Sequence, residues 1–268
     1  MKYKTSVNRF HIAEGRPWKD ALISVIEPRS PYNAWHAATG ITAGEPVIGA
    51  LDTDPPSVIA AVGIVGPDGS VGEAFGRIDK FNRSGLLELG TLNMLADFIV
   101  NPGARTVYHR GSVDDLLATI GAYRRSMTEA LFGTSSLAAA RILLESGCTC
   151  TGCRRQIDLT GEDARDRVHI HTAAYRPSEV TGPNQLPADW PAALCDSCHD
   201  RMRRDEFTSF LDFRFALNPR CPSCSAQRTM STMYGMTAGP VEEPWIAAMG
   251  CCVEPWEWCC AECGHRWA

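Results

Sequence analysis

Four Cys-x-x-Cys pairs punctuate the second half of this 268-residue chain: Cys150/Cys153, Cys195/Cys198, Cys221/Cys224 and Cys260/Cys263. A two-residue spacer lets one tight turn aim two sulfurs at one cation, and zinc accepts four thiolates in a tetrahedron. Four pairs are the ligand count of two Zn(Cys)4 sites, so two structural Zn2+ ions are the expected cofactors. Histidine follows one pair directly, in Leu194-Cys195-Asp196-Ser197-Cys198-His199. Imidazole titrates near neutrality and ligates cations, so His199 turns a structural staple into a candidate for chemistry. His169 and His171 lie two residues apart in Arg167-Val168-His169-Ile170-His171. On a strand both would point to one face. Arg201, Arg203 and Arg204 follow His199 and are candidates for gripping phosphates, although a charge run on a helix is usually a solvated face.

These residues sit in an uneven chain. All twelve cysteines fall in the last 121 residues. The N-terminus has no apolar core of a secretory leader, and the longest apolar run, near residues 58–65, is far below spanning length. A cytoplasmic chain with no membrane partner is expected, and in that compartment such spacings mean metal. A disulfide scaffold is the competing reading, but cysteines this close in sequence bridge each other poorly. The formal net charge is −5. Residues 1–147 carry 14 basic and 15 acidic side chains, and residues 148–268 carry 12 and 16. That balance excludes a non-specific nucleic-acid coat protein, and any contact with DNA must be local.

The elements that must hold the site read as an α+β chain in three parts. Residues 1–147 form an N-terminal α+β domain with strands at 21–26, 46–51 and 58–65. Asp68-Gly69 signals a hairpin, and Ser84 would cap a helix at 85–100 that stops at Asn101-Pro102-Gly103. Further helices are expected at 113–132, capped by Ser112, and from Thr134 or Ser135 to Glu145, with Gly147 closing the last. Residues 148–217 form a zinc module, with a strand through the paired histidines, a polar Pro-rich loop at 176–191, and a helix at 200–217 ended by Asn218-Pro219. Residues 218–268 carry the second cysteine set and the tryptophans that would cover a thin sheet. Gly264 would provide the tight turn after the last pair.

The order of pair, strand histidine, loop, pair plus histidine and helix resembles the HNH endonuclease family, most specifically in Cys195-Asp196-Ser197-Cys198-His199-Asp200-Arg201-Met202. The resemblance implies a ββα-metal or treble-clef zinc unit. In it a strand histidine is the general base for a water attacking phosphorus, and a helix histidine holds a divalent cation (Mg2+, Mn2+ or Ni2+). Carried over by position, His169 is the base and His199 the metal ligand. His171 supplies a further ligand, or is itself the base. The family's acidic or histidine ligand directly before the base is here Val168, or Ile170 if His171 is the base. The nearest candidate for its middle asparagine is Asn184. The expected function is a metal-dependent nuclease hydrolysing DNA phosphodiesters in restriction or antiviral defence. The alternative is a non-catalytic zinc-binding adaptor that presents surfaces to DNA or to a protein partner in a larger complex.

Two further resemblances frame this one. Trp35, the stretch Gly44-Glu45-Pro46-Val47-Ile48 and Asp54-Pro55-Pro56 before a strand are similar to PUA-like modules of the EVE and ASCH type. These are small barrels, and some of them bind a flipped modified base. Residues 218–268 resemble a zinc ribbon. Cys148, Cys251, Cys252 and Cys259 have no role in this reading.

Overall fold

The computed structural model describes residues 9–37, 42–64, 85–95, 106–108, 131–174, 187–236, 241 and 243–268. It mixes helices and sheets, as the α+β reading expects. Among the described residues the N-terminal part is one six-stranded sheet. It is built from β1 (Arg9–Gly15), β2 (Trp35–Ala37), β3 (Pro46–Leu51), β4 (Ser57–Ile64), β5 (Leu86–Glu88) and β6 (Thr106–Tyr108). The order is β2-β1-β3-β4-β5, with β6 pairing β1. β1 runs parallel to β3, His11 opposite Val47, and the other pairings are antiparallel. Gly15 ends β1 where a side chain has no room: an added Cβ would stand 2.6 Å from Ala21 Cβ and 2.7 Å from Leu51 Cδ2.

Two expectations fail here for physical reasons. Residues 21–26 are not a strand but the body of helix α1 (Trp18–Ile26). Asp20, Ala21, Leu22, Ile23 and Val25 are all buried, because α1 lies between the sheet and the cysteine-rich part. A short run that is apolar on every side reads equally as buried strand or buried helix. Residues 85–100 do not open as a helix. Leu86 and Leu87 are buried and pair with Ile59 and Val58, and helix α2 begins only at Leu89 and runs to Leu95. The strands at 46–51 and 58–65 form as β3 and β4. The Ser84 cap, the Asp68-Gly69 hairpin, the Asn101-Pro102-Gly103 stop, residues 113–130 of the expected 113–132 helix and Asn184 lie outside the described residues.

Helix α3 (Ser136–Ser146) follows its signals closely. Ser135 accepts from the Ala138 N–H at 3.2 Å, and Gly147 closes the helix with φ 51°. Beyond it, α4 (Ala164–Arg167) leads into the hairpin of β7 (Val168–His171) and β8 (Ala192–Cys195). The expected helix at 200–217 is two helices, α5 (Asp196–Arg204) and α6 (Phe210–Ala216). Between them Phe207 N–H bonds to Met202 C=O at 3.0 Å and Glu206 N–H to Arg203 C=O at 3.1 Å, with Glu206 at φ 57°. That is a Schellman stop with glutamate where glycine is usual. Ser209 then caps α6, accepting from Asp212 N–H at 3.3 Å.

The last part is a four-stranded sheet in the order β10-β9-β11-β12, made of β9 (Thr229–Met233), β10 (Ile246–Ala248), β11 (Trp258–Cys260) and β12 (Arg266–Trp267). Most of its side chains are only half buried. The core, by contrast, is continuous from β1 and α1 through α3, the β7–β8 hairpin and α6 to Trp245. Polar contacts cross it too. Lys19 Nζ donates to the carbonyls of Arg165 and Val168 at 2.6 and 2.8 Å, and Arg165 forms a forked ion pair with Asp20. Among the described residues no helix is long and apolar enough to cross a membrane.

Candidate functional site

The four pairs assemble as two groups, Cys150/Cys153/Cys195/Cys198 and Cys221/Cys224/Cys260/Cys263, with all sulfurs in each group within 4.8 Å of one another. Cys153 and Cys195 Sγ stand 3.8 Å apart, Cys221 and Cys263 3.7 Å, and Cys224 and Cys260 3.6 Å. Four sulfurs about 2.3 Å from one zinc, at tetrahedral angles, have edges of about 3.8 Å. A disulfide would need about 2.05 Å. The spacing therefore fits a metal, and both groups could hold a structural ion such as zinc.

Local structure explains the fit. In the first group Gly152 permits close approach, since an added Cβ would lie 3.1 Å from Cys198 Sγ. Cys195 N–H donates to Cys150 Sγ at 3.3 Å. Burial and the neighbouring Cys150 push the Cys198 thiol far up, and burial raises Cys195. In the second group the Cys221 thiol falls to about 7: loss of hydration opposes this, but backbone N–H groups of Cys224 and Ser223 stabilise the thiolate. Four thiolates do not coexist without a cation between them, so each group holds its charge only when metal neutralises it.

Above the first group lie the histidines. β7 pairs with β8 so that His169 is opposite Leu194 and His171 opposite Ala192, and α5 starts directly from Cys195. His169 and His199 meet as parallel rings, 3.9 Å between centroids and 6° between planes. His169 Nε2 contacts Asp196 Oδ1 at 2.8 Å. His199 Nδ1 is buried without a hydrogen-bond partner, and Asp200 Oδ1 is 3.9 Å away. Burial, then the charges of His169 and Arg203, hold the His199 imidazole below its ordinary value.

His171 belongs to a second pair. Its Nε2 contacts Asp189 Oδ2 at 2.7 Å. Asp189 Oδ1 accepts from Trp190 N–H, Phe210 N–H and Ser209 Oγ at 2.7, 2.8 and 3.1 Å, which ties His171 to the start of α6. Burial pushes the Asp189 carboxyl up, but the bonds from His171, Trp190 and Ser209 outweigh it and leave it below the usual carboxylate range. Neither aspartate was expected from sequence. Asp196 was visible as the first spacer residue of the Cys195/Cys198 pair. Asp189 lies 18 residues from His171, and no local pattern connects them.

The three arginines separate. Arg201 and Arg204 both reach Asp205, at 3.5 and 3.6 Å. The Arg203 guanidinium has no ion pair or hydrogen bond among the described residues, and Arg203 lines a cleft of about 210 Å3 with His171 and His199. Val168 is completely buried on the opposite side of β7 from the histidines. An acidic ligand at that position would be a charge in the core. Among the described residues only the two cysteine groups bring three or more ligand atoms together. Parallel rings aim their nitrogen lone pairs side by side, so His169 and His199 must turn before they share a cation.

No family model, curated protein or solved structure matches this chain.

Proposed function

We propose that the chain is an HNH-like, metal-dependent nuclease that hydrolyses DNA phosphodiesters. On this reading the sheet of the N-terminal part serves recognition and the last part is a zinc ribbon. The observation that carries the reading is the meeting of a strand histidine and a helix histidine, His169 and His199, directly on a four-cysteine staple, with unpaired Arg203 beside them. Phosphodiester hydrolysis needs a base near neutrality, positive charge on the non-bridging oxygens, and a rigid mount for both. His169 or His171 serves as the base, each already oriented by a carboxylate. Arg203 takes the phosphate, and Asp196 stands where it could complete a cation site with His169 and His199 once the rings turn. A catalytic Mg2+, Mn2+ or Ni2+ would stabilise charge on the attacked phosphate.

The adaptor reading also has an observation behind it. Val168 fills the core where the family carries a ligand, and the stacked rings are not a formed cation site. Plasmid cleavage by the full chain with each divalent ion separates the two. The nuclease reading expects nicking that His169→Ala and His199→Ala abolish while both zinc ions remain bound. No cleavage of modified or unmodified DNA with any ion would leave the adaptor as the better reading.

A further inference from the structure

Two of the cysteines outside the four-sulfur groups, Cys251 and Cys252, are adjacent, and both are exposed. Cysteine is among the residues most often buried, so two exposed thiols side by side need a reason beyond packing. They lie in the loop between β10 and β11, and the strand register fixes where that loop is. Cys260, a member of the second group, stands opposite Thr229 at the start of β9. The loop leaves from the other end of the sheet: Met249 N–H donates to Met233 C=O at 2.9 Å, and Gly235 N–H to Gly250 C=O at 2.8 Å. Gly235 lies beyond Thr229 by the span from 229 to 235, which at about 3.3 Å per residue puts Gly250 about 20 Å from the second group. A zinc–sulfur bond is about 2.3 Å, so neither thiol is a spare ligand for that group. Cys259 is no closer to them, since it pairs with Met230 and Arg266 at the end of the sheet that carries Cys260.

The tip around the two thiols is apolar. Met236 is 92% exposed, Val253 81% and Trp256 37%, and among the described residues only Met94 is a comparably exposed large apolar side chain elsewhere. The three belong to one place. Met236 follows Gly235, and the Trp256 carbonyl accepts from Thr232 Oγ1 and Tyr234 Oη at 2.5 and 3.2 Å. Gly250, at φ 83°, turns the chain just before the cysteines, and the backbone bends at both of them. Neighbouring side chains that diverge on a strand can converge at a bend.

Two thiolates are half of a tetrahedral zinc site. The other half does not come from the same region. Residues 234–250 contain no cysteine or histidine, and among the described residues no group of three or more ligand atoms includes either thiol. We infer that Cys251 and Cys252 form half of an intermolecular metal site, completed around one Zn2+ by the same two residues of a second copy of this chain. A two-fold axis through the ion brings the same loop from each copy, so four sulfurs meet one cation and the interface is self-complementary. The same axis sets Met236, Val253 and Trp256 against their counterparts and covers the apolar tip. Four thiolates exceed the charge of one Zn2+, but Glu254, the first carboxylate after the pair, is balanced by Arg266 at 3.5 Å and does not add to the excess. The two groups within the chain have their four sulfurs already gathered, whereas this site must also offset the entropy of association, so it fills last. The inference is independent of the nuclease reading, since a chain that never cuts DNA dimerises in the same way.

The test is sedimentation velocity on the full chain as isolated, its zinc content measured first, in a phosphine reductant and titrated with ZnCl2. At up to about 100 μM chain the parent should pass from monomer to dimer, with the end point at half an equivalent of added zinc. The double variant Cys251→Ser with Cys252→Ser should stay monomeric over the same titration and keep the zinc it was isolated with. Val253→Glu spares all the sulfurs and should weaken the dimer by about tenfold, through like charges across the axis. A parent that stays monomeric through a full equivalent of added zinc overturns the inference. So does zinc taken up at the two thiols with no dimer formed, or a dimer that survives in the double variant. A dimer that forms only when the reductant is left out is a disulfide, and it overturns the inference equally.

Discussion

The two cysteine groups have the same ligands and nearly the same sulfur spacing, and each has a histidine just after its last pair. Their surroundings separate them. Cys198 lies in the first turn of helix α5, which carries His199 back over β7 and onto His169. After Cys263 the chain turns through Gly264 into the two-residue strand β12, and exposed His265 stacks on Trp267 with centroids 5.8 Å apart. The first group is embedded in the core shared with α1 and α3, with Cys150 fully buried. The second is carried by a half-buried sheet. A four-cysteine group is thus neutral as to chemistry. The element that leaves the last cysteine decides whether the adjacent histidine meets other titratable groups or only solvent.

The widest contrast should come from the metal. Structural zinc in small modules is worth roughly 10–16 kcal/mol of apparent binding free energy. The parent should carry two zinc ions per chain. Cys198→Ser should lose one of them together with the native circular dichroism of the N-terminal sheet, because Lys19 and Asp20 are tied to residues 165–168. Cys263→Ser should lose the other and leave the rest folded. Fewer than one zinc per folded parent chain would remove the basis for both staples. Equal damage from the two variants would remove the distinction between them.

The histidines sharpen the contrast at the next level. If the first group supports catalysis, His169→Ala and His199→Ala should each slow cleavage by about 10²–10⁴. His265→Ala, the counterpart in the second group, should not change it. Single-turnover rates on plasmid check this, with zinc content as the fold control. A rate loss of the same size in His265→Ala would mean that cleavage depends on the second cysteine group and not on the stacked pair.

Much of the first group was legible because its information is local. The cysteine spacings, the Ser135 and Gly147 caps and the strand with two histidines are short patterns with one physical meaning each. What escaped was set by distant packing. Residues 21–26 were mistaken for a strand because a helix buried all round has no polar face to reveal its period. The break between α5 and α6 was hidden because Glu206 occupies the left-handed position where glycine would have announced a stop. The two aspartates that orient the histidines could not be singled out, since one looked like a spacer and the other lay across a long loop. The arginines were legible as a run, but only the position of Asp205 separates the two it neutralises from Arg203.

Asp189 offers a smaller effect with a definite sign. Its carboxyl is depressed in the folded chain, so it contributes stability above the unfolded value of about 3.9. That contribution is lost as pH falls through the lower, folded value. Asp189→Asn can keep its oxygen on the three donors and turn its amide toward His171, losing only the charge-assisted part, about 1–3 kcal/mol. In urea titrations the parent should exceed the variant by that amount at neutral pH, and the gap should close in acid. A gap that persisted at the acid end would mean the loss comes from packing at the start of α6, not from the carboxylate. The second group has no carboxylate–histidine pair among its described residues, so changes there should leave this acid limb unaltered.

The finest test concerns Arg203, whose exposed side chain contributes little to stability. Each phosphate neutralised by a cation releases counterions, and removing one contact lowers the slope of log affinity against log salt by about 0.9 on duplex DNA. Arg203→Ala should therefore flatten the salt dependence of DNA binding by about one contact. Arg201→Ala and Arg204→Ala should change it less, since each is already shared with Asp205. Arg266, on the second sheet and 3.5 Å from Glu254, serves as the control from the other region. Equal flattening by all four would describe a diffuse cationic surface. An effect confined to Arg203 would place the phosphate backbone in the cleft with His171 and His199, beside the stacked pair of His169 and His199.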